Sequence, residues 1–248
     1  MRVLLLTALL VAVPAGGEVE GKKVKFVNGK AGFQGLEYVP PGDGPFPAVI
    51  VLHGDFGLTP WTQKQCSRLA AKGYHVLAID LYRGELPKDV EEAHILERGL
   101  EDGKVHAQVK LALDRLSKIK GVRKDAIAVL GFDMGGGYAL DLAMQDNRIK
   151  AAVNCYGRLT TDAKQLSGMN ASLLCLMAGK DEGIPTETVE QFKKALAKAG
   201  KSASIHVYPD APTAFLDPDS PYHGGKADGK VIADAWGRIE AHLAKALK

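Results

Sequence analysis

One carboxylate occupies a position built for chemistry: Asp133, at the centre of Gly131-Phe132-Asp133-Met134-Gly135-Gly136-Gly137. The stretch follows the apolar, β-branched run Ala126-Ile127-Ala128-Val129-Leu130 and leads into Tyr138 to Met144, whose spacing is helical. A strand, a tight glycine turn and a helix therefore hold Asp133 at an apex, where a carboxylate could serve as nucleophile or base. Strand and helix pass so close around such an apex that Gly131 and Gly135 leave no room for a side chain. The plain alternative is an ordinary turn whose Asp caps the helix. In either case the helix dipole and its free N–H groups favour negative charge, so Asp133 is expected to be ionised.

Other polar side chains cluster where apolar runs end. Leu52-His53-Gly54-Asp55-Phe56-Gly57-Leu58 can offer backbone N–H groups to an oxyanion, together with the N–H of Met134. Arg83 follows Asp80-Leu81-Tyr82, and Asp181 lies in Gly179-Lys180-Asp181-Glu182-Gly183-Ile184-Pro185, where it could equally bond its own backbone as a turn residue. Thr213 lies in Tyr208 to Phe215, and His223 ten positions later could fold back over the same place. For His223 the alternative is an exposed loop residue, and for His53 a structural imidazole bonded beneath its loop. His75, His94, His106, His206 and His242 fall on strand or helix positions with no evident partner. Arg83 and Arg158 could flank an acidic ligand, though an Arg at a strand exit is more often solvated. Carboxylate and imidazole at Asp133, Asp181 and His53 or His223 are ordinary metal ligands, but no motif spacing supports a metal site.

These positions depend on the elements between them. Lys22 to Val27 and Phe33 to Val39, separated by Asn28-Gly29-Lys30-Ala31-Gly32, predict a β-hairpin. Ala48 to Leu52 is a continuous apolar run, as a strand buried on both faces requires. Helix and strand then alternate: a helix over 61–72, a strand over 75–81, helical residues over 88–120 broken near Gly99 and Gly103, then the Asp133 strand and helix. Strands at 150–155 and 172–177, a helix over 186–199, a strand over 203–208 and a helix over about 230–247 complete the chain. The alternation predicts an α/β fold with a mostly parallel central sheet and helices on both faces. Ligands of such sheets bind outside the carboxyl ends of the strands, where the candidate residues lie.

Composition narrows the classes. The 248 residues are 46% hydrophobic and 25% charged, as in a soluble globular protein, and no repeat or linker divides residues 22–248, so one domain is expected. A net charge of +3, with Lys and Arg interspersed among Asp and Glu, gives no reason to expect nucleic acid. Met1-Arg2, the apolar stretch Val3 to Val13 and the small residues ending at Ala15 predict a signal peptide over 1–15, hence a secreted or periplasmic protein. No membrane association is expected once it is cleaved. Cys66, Cys155 and Cys175 are an odd count without close spacing, so buried thiols are expected rather than disulfides or zinc.

Six pieces in order resemble the dienelactone hydrolase family from about Lys22 to the C-terminus. They are Leu-His-x-x-x-Gly-Leu at 52–58, Asp-Leu-Tyr-Arg-Gly at 80–84, Gly-Phe-x-Met-Gly-Gly at 131–136 and Asn-Cys-Tyr-Gly at 154–157. Gly-Lys-Asp-x-x-Ile-Pro at 179–185 and Tyr-Pro-x-Ala-x-x-Ala-Phe at 208–215 complete the set. The resemblance implies an α/β-hydrolase fold with the glycine turn as nucleophile elbow. It also implies hydrolysis of lactones or other carboxylic esters, as by a carboxymethylenebutenolidase, through a Cys or Ser, His, Asp triad without a cofactor. On that correspondence Asp181 keeps the triad acid, Asp133 replaces the nucleophile, Thr213 replaces the His, and Gly54 stands where many relatives carry a Glu.

Acyl transfer needs an activated nucleophile and a base that also protonates the leaving group. A carboxylate attacking an ester gives a mixed anhydride that mostly returns to substrate, and a threonine hydroxyl is too weak a base near neutral pH. The sequence therefore predicts a family member that is non-hydrolytic by the usual mechanism, with a cleft open to a small-molecule ligand. The alternative is a hydrolase rebuilt around Asp133 and a displaced His223 or His53. Haloalkane dehalogenases use such an Asp to attack an alkyl carbon, but here the His is missing from its loop and Met134 stands where they place a halide-binding Trp.

Overall fold

The computed structural model describes residues 17–28, 31–224 and 227–247. The expected signal peptide and the Gly29-Lys30 pair of the hairpin turn lie outside the described residues.

A hairpin of β1 (Lys22–Asn28) and β2 (Ala31–Tyr38) starts the fold, β2 pairing antiparallel with β4 (His75–Ile79). Helix α1 (Pro60–Ala71) connects β3 (Phe46–Leu52) to β4, and α2 (Val90–Arg98) and α3 (Asp102–Leu116) lead to β5 (Val122–Phe132). The remainder is α4 (Met134–Gln145), β6 (Ile149–Cys155), α5 (Ala163–Ser167), β7 (Ser172–Ala178), α6 (Thr186–Lys198), β8 (Ser204–Tyr208) and α7 (Gly229–Ala246). The eight strands order as β1-β2-β4-β3-β5-β6-β7-β8, and every pair from β4 to β8 is parallel. No helix among the described residues is long and apolar enough to cross a membrane.

Alternation along the central strands divides the core in two. Ala48, Ile50 and Leu52 of β3 pack with Leu113 of α3, Leu140 of α4 and Phe192 of α6. Val49 and Val51 face the other way, with Leu69 of α1 and Trp236 and Ile239 of α7. Both sides of β3 are thus dry, which is why its run is unbroken by polar residues. The three cysteines are buried and free, as expected.

Helix α2 is fixed at both ends: Asp89 Oδ1 accepts from the Glu92 amide at 2.9 Å, and the Gly99 amide donates to the Ile95 and Leu96 carbonyls. This orients His94 and Glu97, three apart and therefore on one helical face, toward the carboxyl ends of the strands.

Candidate active site at the carboxyl edge of the sheet

Asp133 has φ 51° and ψ −124°, a left-handed backbone between β5 and α4. Its N–H donates to the Cys155 carbonyl at 3.0 Å, and its carbonyl accepts from the Gly136 N–H at 2.8 Å. A Cβ on Gly131 would collide with the Gly135 carbonyl, and one on Gly135 with the Leu52 and His53 carbonyls. Close packing around the apex therefore requires both glycines. Beside it, Asn154 Oδ1 accepts from the Gly157 amide at 2.7 Å, fixing the exit of β6.

The surroundings of Asp133 oppose the ionisation expected of it at a helix N-terminus. Burial, and after it the carboxylates of Asp55, Asp181 and Glu97, push its carboxyl well above the ordinary carboxylate range. The helix terminus does not offset this, because its first free donor serves another residue: the Met134 N–H donates to Asp55 Oδ1 at 3.3 Å. Asp133 itself forms no side-chain capping bond.

Asp55 is buried, and its second oxygen, Oδ2, accepts from the Tyr222 hydroxyl at 2.5 Å. Having spent its proton there, Tyr222 accepts from His94 Nε2 at 3.3 Å, which sets the Nε2–H tautomer. The donor order is His94 to Tyr222 to Asp55, with Met134 closing it from the opposite side. The N–H expected to serve an oxyanion is already satisfied by an internal carboxylate.

The triad-equivalent positions do converge on one cleft of about 880 Å³, bordered by Asp133, Met134, Asp181 and Thr213. Asp181 Oδ1 accepts from the Gly183 and Ile184 amides at 2.9 and 3.2 Å, the turn role open to it from sequence. Gly54 borders a smaller recess with Asp133; a Cβ there would sit 3.2 Å from that of Asp133.

Three expected cleft residues lie elsewhere. His53 is buried behind its loop, where Nδ1–H donates to the Gly54 carbonyl at 2.7 Å and Nε2 accepts from the Leu81 N–H at 3.0 Å. With both nitrogens used, and burial holding its pKa below the ordinary value, it is a neutral structural imidazole. His223 is buried rather than exposed, with Nε2–H donating to the Asp217 carbonyl at 3.0 Å, and it does not border the cleft. Arg83 is exposed at φ 58° and borders a separate surface recess with Asp80 and Gln34. Arg158 does reach the cleft rim, but it is ion-paired with Asp141.

Sequence reasoning missed Asp55, His94, Glu97, Tyr156 and Tyr222, all of which border the cleft. Asp55 and Tyr156 stood inside recognised segments, and the spacing of His94 and Glu97 on α2 was a usable signal. Nothing local marks Tyr222. The other histidines read as partnerless are mostly engaged: His75 with Glu37 at 3.0 Å, His106 with Asp141 at 3.3 Å and His242 with the Ser172 carbonyl at 3.1 Å.

A mostly parallel eight-stranded sheet with a strained apex residue between strand and helix defines an α/β-hydrolase fold. The solved structure titled "Putative Dienelactone Hydrolase" from Klebsiella pneumoniae superposes with a TM-score of 0.82 at 27% identity, covering 92% of this chain and 99% of its own. Dienelactone hydrolase from Anabaena variabilis gives 0.67 at 19% identity, covering 94% and 100%, a likeness of fold alone. By sequence, the Escherichia coli K12 protein named "Putative carboxymethylenebutenolidase" is 35% identical over 212 residues, 79% of this chain and 76% of that one. The pattern of the Dienelactone hydrolase family matches residues 33–247, and the chain belongs to that family.

Proposed function

We propose that this chain is an exported, non-hydrolytic member of the dienelactone hydrolase family, a family of ester and lactone hydrolases, whose cleft holds a small molecule without cleaving it. The observation that carries this reading is the Met134 N–H, which donates to Asp55 instead of standing open to an oxyanion. Preorganised donors of that kind are usually worth about 10²–10³ in turnover. The apex adds a second obstacle, because burial and the neighbouring carboxylates disfavour the anionic form that a carboxylate nucleophile needs. Among the described residues, His53 and His223 bond to backbone groups and do not border the cleft, and His94 meets Asp55 only through Tyr222. Export rests on the sequence of residues 1–15 and predicts an exported protein whose N-terminus is Gly16, read by mass spectrometry.

The test is hydrolysis of short aryl esters and lactones by the native protein, by Asp133→Cys/Thr213→His, and by that double variant with Asp55→Ala. The native protein is expected to match buffer, the double variant to turn over slowly, and the triple variant to gain a further ~10²-fold as the oxyanion donor is freed. Native turnover above buffer that Asp133→Asn abolishes would overturn the reading in favour of a rebuilt hydrolase.

A further inference from the structure

Asp55 covers the Met134 N–H, but the two bonds that hold it there are of unequal strength. We propose that this block is a releasable latch: Tyr222, carried on the segment Asp217 to Gly224, holds Asp55 over the oxyanion donor, and lifting of that segment frees the donor. This deepens the preceding reading and rests on it, because that reading takes the covered N–H as the obstacle to ester hydrolysis.

The stronger bond comes from Tyr222. Its hydroxyl donates to Asp55 Oδ2 at 2.5 Å, the short distance of an O–H on a carboxylate, whereas the Met134 N–H reaches Oδ1 only at 3.3 Å, long for an amide donor. Tyr222 therefore positions Asp55, and the Met134 N–H takes what that position offers. Tyr222 is itself held from two sides: His94 Nε2 on α2 donates to its hydroxyl at 3.3 Å, and its ring meets Phe56 edge-on at 5.4 Å. One side chain thus joins the connection before α7, helix α2 and the loop after β3.

The segment is built to move as one piece. Its backbone bonds close on itself: the Ser220 N–H donates to the Asp217 carbonyl at 3.2 Å, the His223 and Gly224 N–H groups to the Ser220 carbonyl at 3.3 and 3.2 Å, and the Asp219 N–H to Asp217 Oδ1 at 3.0 Å. Parting from the cleft leaves none of these unpaired. Phe215 and Leu216, buried in the core, anchor the chain just before it, and α7 begins beyond it at Gly229. Among the described residues, the hydrogen bonds that cross from the segment to the opposite wall are those of the Tyr222 hydroxyl.

The seam beneath the segment is not filled. Asp217 and Ser220 border, together with Gly54, Asp55 and Asp133, a recess of about 30 Å³, which is polar and roomy enough for a water molecule. Groups on such a seam exchange a protein partner for water at little cost, so the segment belongs to the parts of a fold that open locally. The Tyr222 bond is then the contact that decides whether it stays down.

Amide hydrogen exchange tests this. Besides Met1 the methionines are Met134, Met144, Met169 and Met177, so isotopic labelling of methionine nitrogen alone isolates the Met134 amide by NMR beside three internal controls, and Met134→Leu assigns its signal. Tyr222→Phe keeps the ring and removes the hydroxyl; the Met134 amide is expected to exchange about tenfold or more faster, with the other three unchanged. Coupling is reciprocal, so Asp55→Ala is expected to speed exchange across 217–224 by a similar factor, read by mass spectrometry of that peptide. A Met134 rate unmoved by Tyr222→Phe, a segment unmoved by Asp55→Ala, or a rise shared by all four methionines would overturn the proposal. Ester turnover by the native protein sinks the preceding reading and leaves these exchange rates as they stand, so the two fail separately.

Discussion

At the scale of single residues, Asp133 is where backbone and charge disagree. The backbone is that of an elbow, yet the side chain faces Asp55, Asp181 and Glu97, with the hydroxyls of Tyr82, Tyr156 and Tyr222 nearby. Because its carboxyl is raised on folding, the native state binds a proton that the unfolded chain has released, between the unfolded and folded pKa values. The stability it contributes is complete below the unfolded value and falls away as pH rises through the folded one. Asp133→Asn is therefore expected to raise Tm at pH 8 relative to the native protein, with the difference closing toward pH 4. Parallel melting curves across that range check it; a constant difference would show that Asp133 is ionised throughout. Asp133 itself was legible from sequence, because the glycines that mark it are its neighbours. The upward push on its carboxyl was not, because that comes from burial and from carboxylates brought in by three other segments. Asp55 shows the same limit: Tyr222, which holds it, is 167 positions away.

Elements follow from local pattern more faithfully. The buried strands β3, β4, β6 and β7 stand where their apolar runs predict, and the break near Gly99 separates α2 from α3. Strand β5 begins at Val122 rather than near Ala126, since its polar start, Arg123-Lys124-Asp125, gives no strand signal while Val122 still pairs with Phe46. The short α5 was missed; five residues carry too little periodicity, and it rests on Asp162 capping the Lys164 and Gln165 amides. Glycines with different surroundings predict opposite outcomes for one substitution. Gly131→Ala drives a methyl into the Gly135 carbonyl and is expected to cost about 4 kcal/mol or to prevent folding. Gly237→Ala, inside α7 with nothing within 4 Å of the new carbon, is expected to stabilise by about 0.5–1 kcal/mol. Urea unfolding of both variants checks the pair.

For the molecule as a whole, one sheet both divides the core and carries the site. Parallel pairing from β4 to β8 sends the ends of β3, β5, β6, β7 and β8 to the same edge, so residues scattered from 55 to 222 meet there. That convergence was legible from the alternation of strands and helices. What it assembles there, a set of carboxylates around the apex, was legible only in part, from Asp133 and Asp181 but not from Asp55 and Glu97. The free thiols give this architecture a built-in clock. Cys66 and Cys155 pack on one face of the sheet and Cys175 on the other, and burial pushes the Cys175 thiol up to about 12. A thiol so placed reacts only when its layer opens. Labelling with a chromogenic disulfide reagent in mild urea is therefore expected to modify all three cysteines at one rate, equal to the rate of global unfolding. Two rates, with Cys175 apart from the others, would mean that the layers open separately and that the sheet outlives one of its covers.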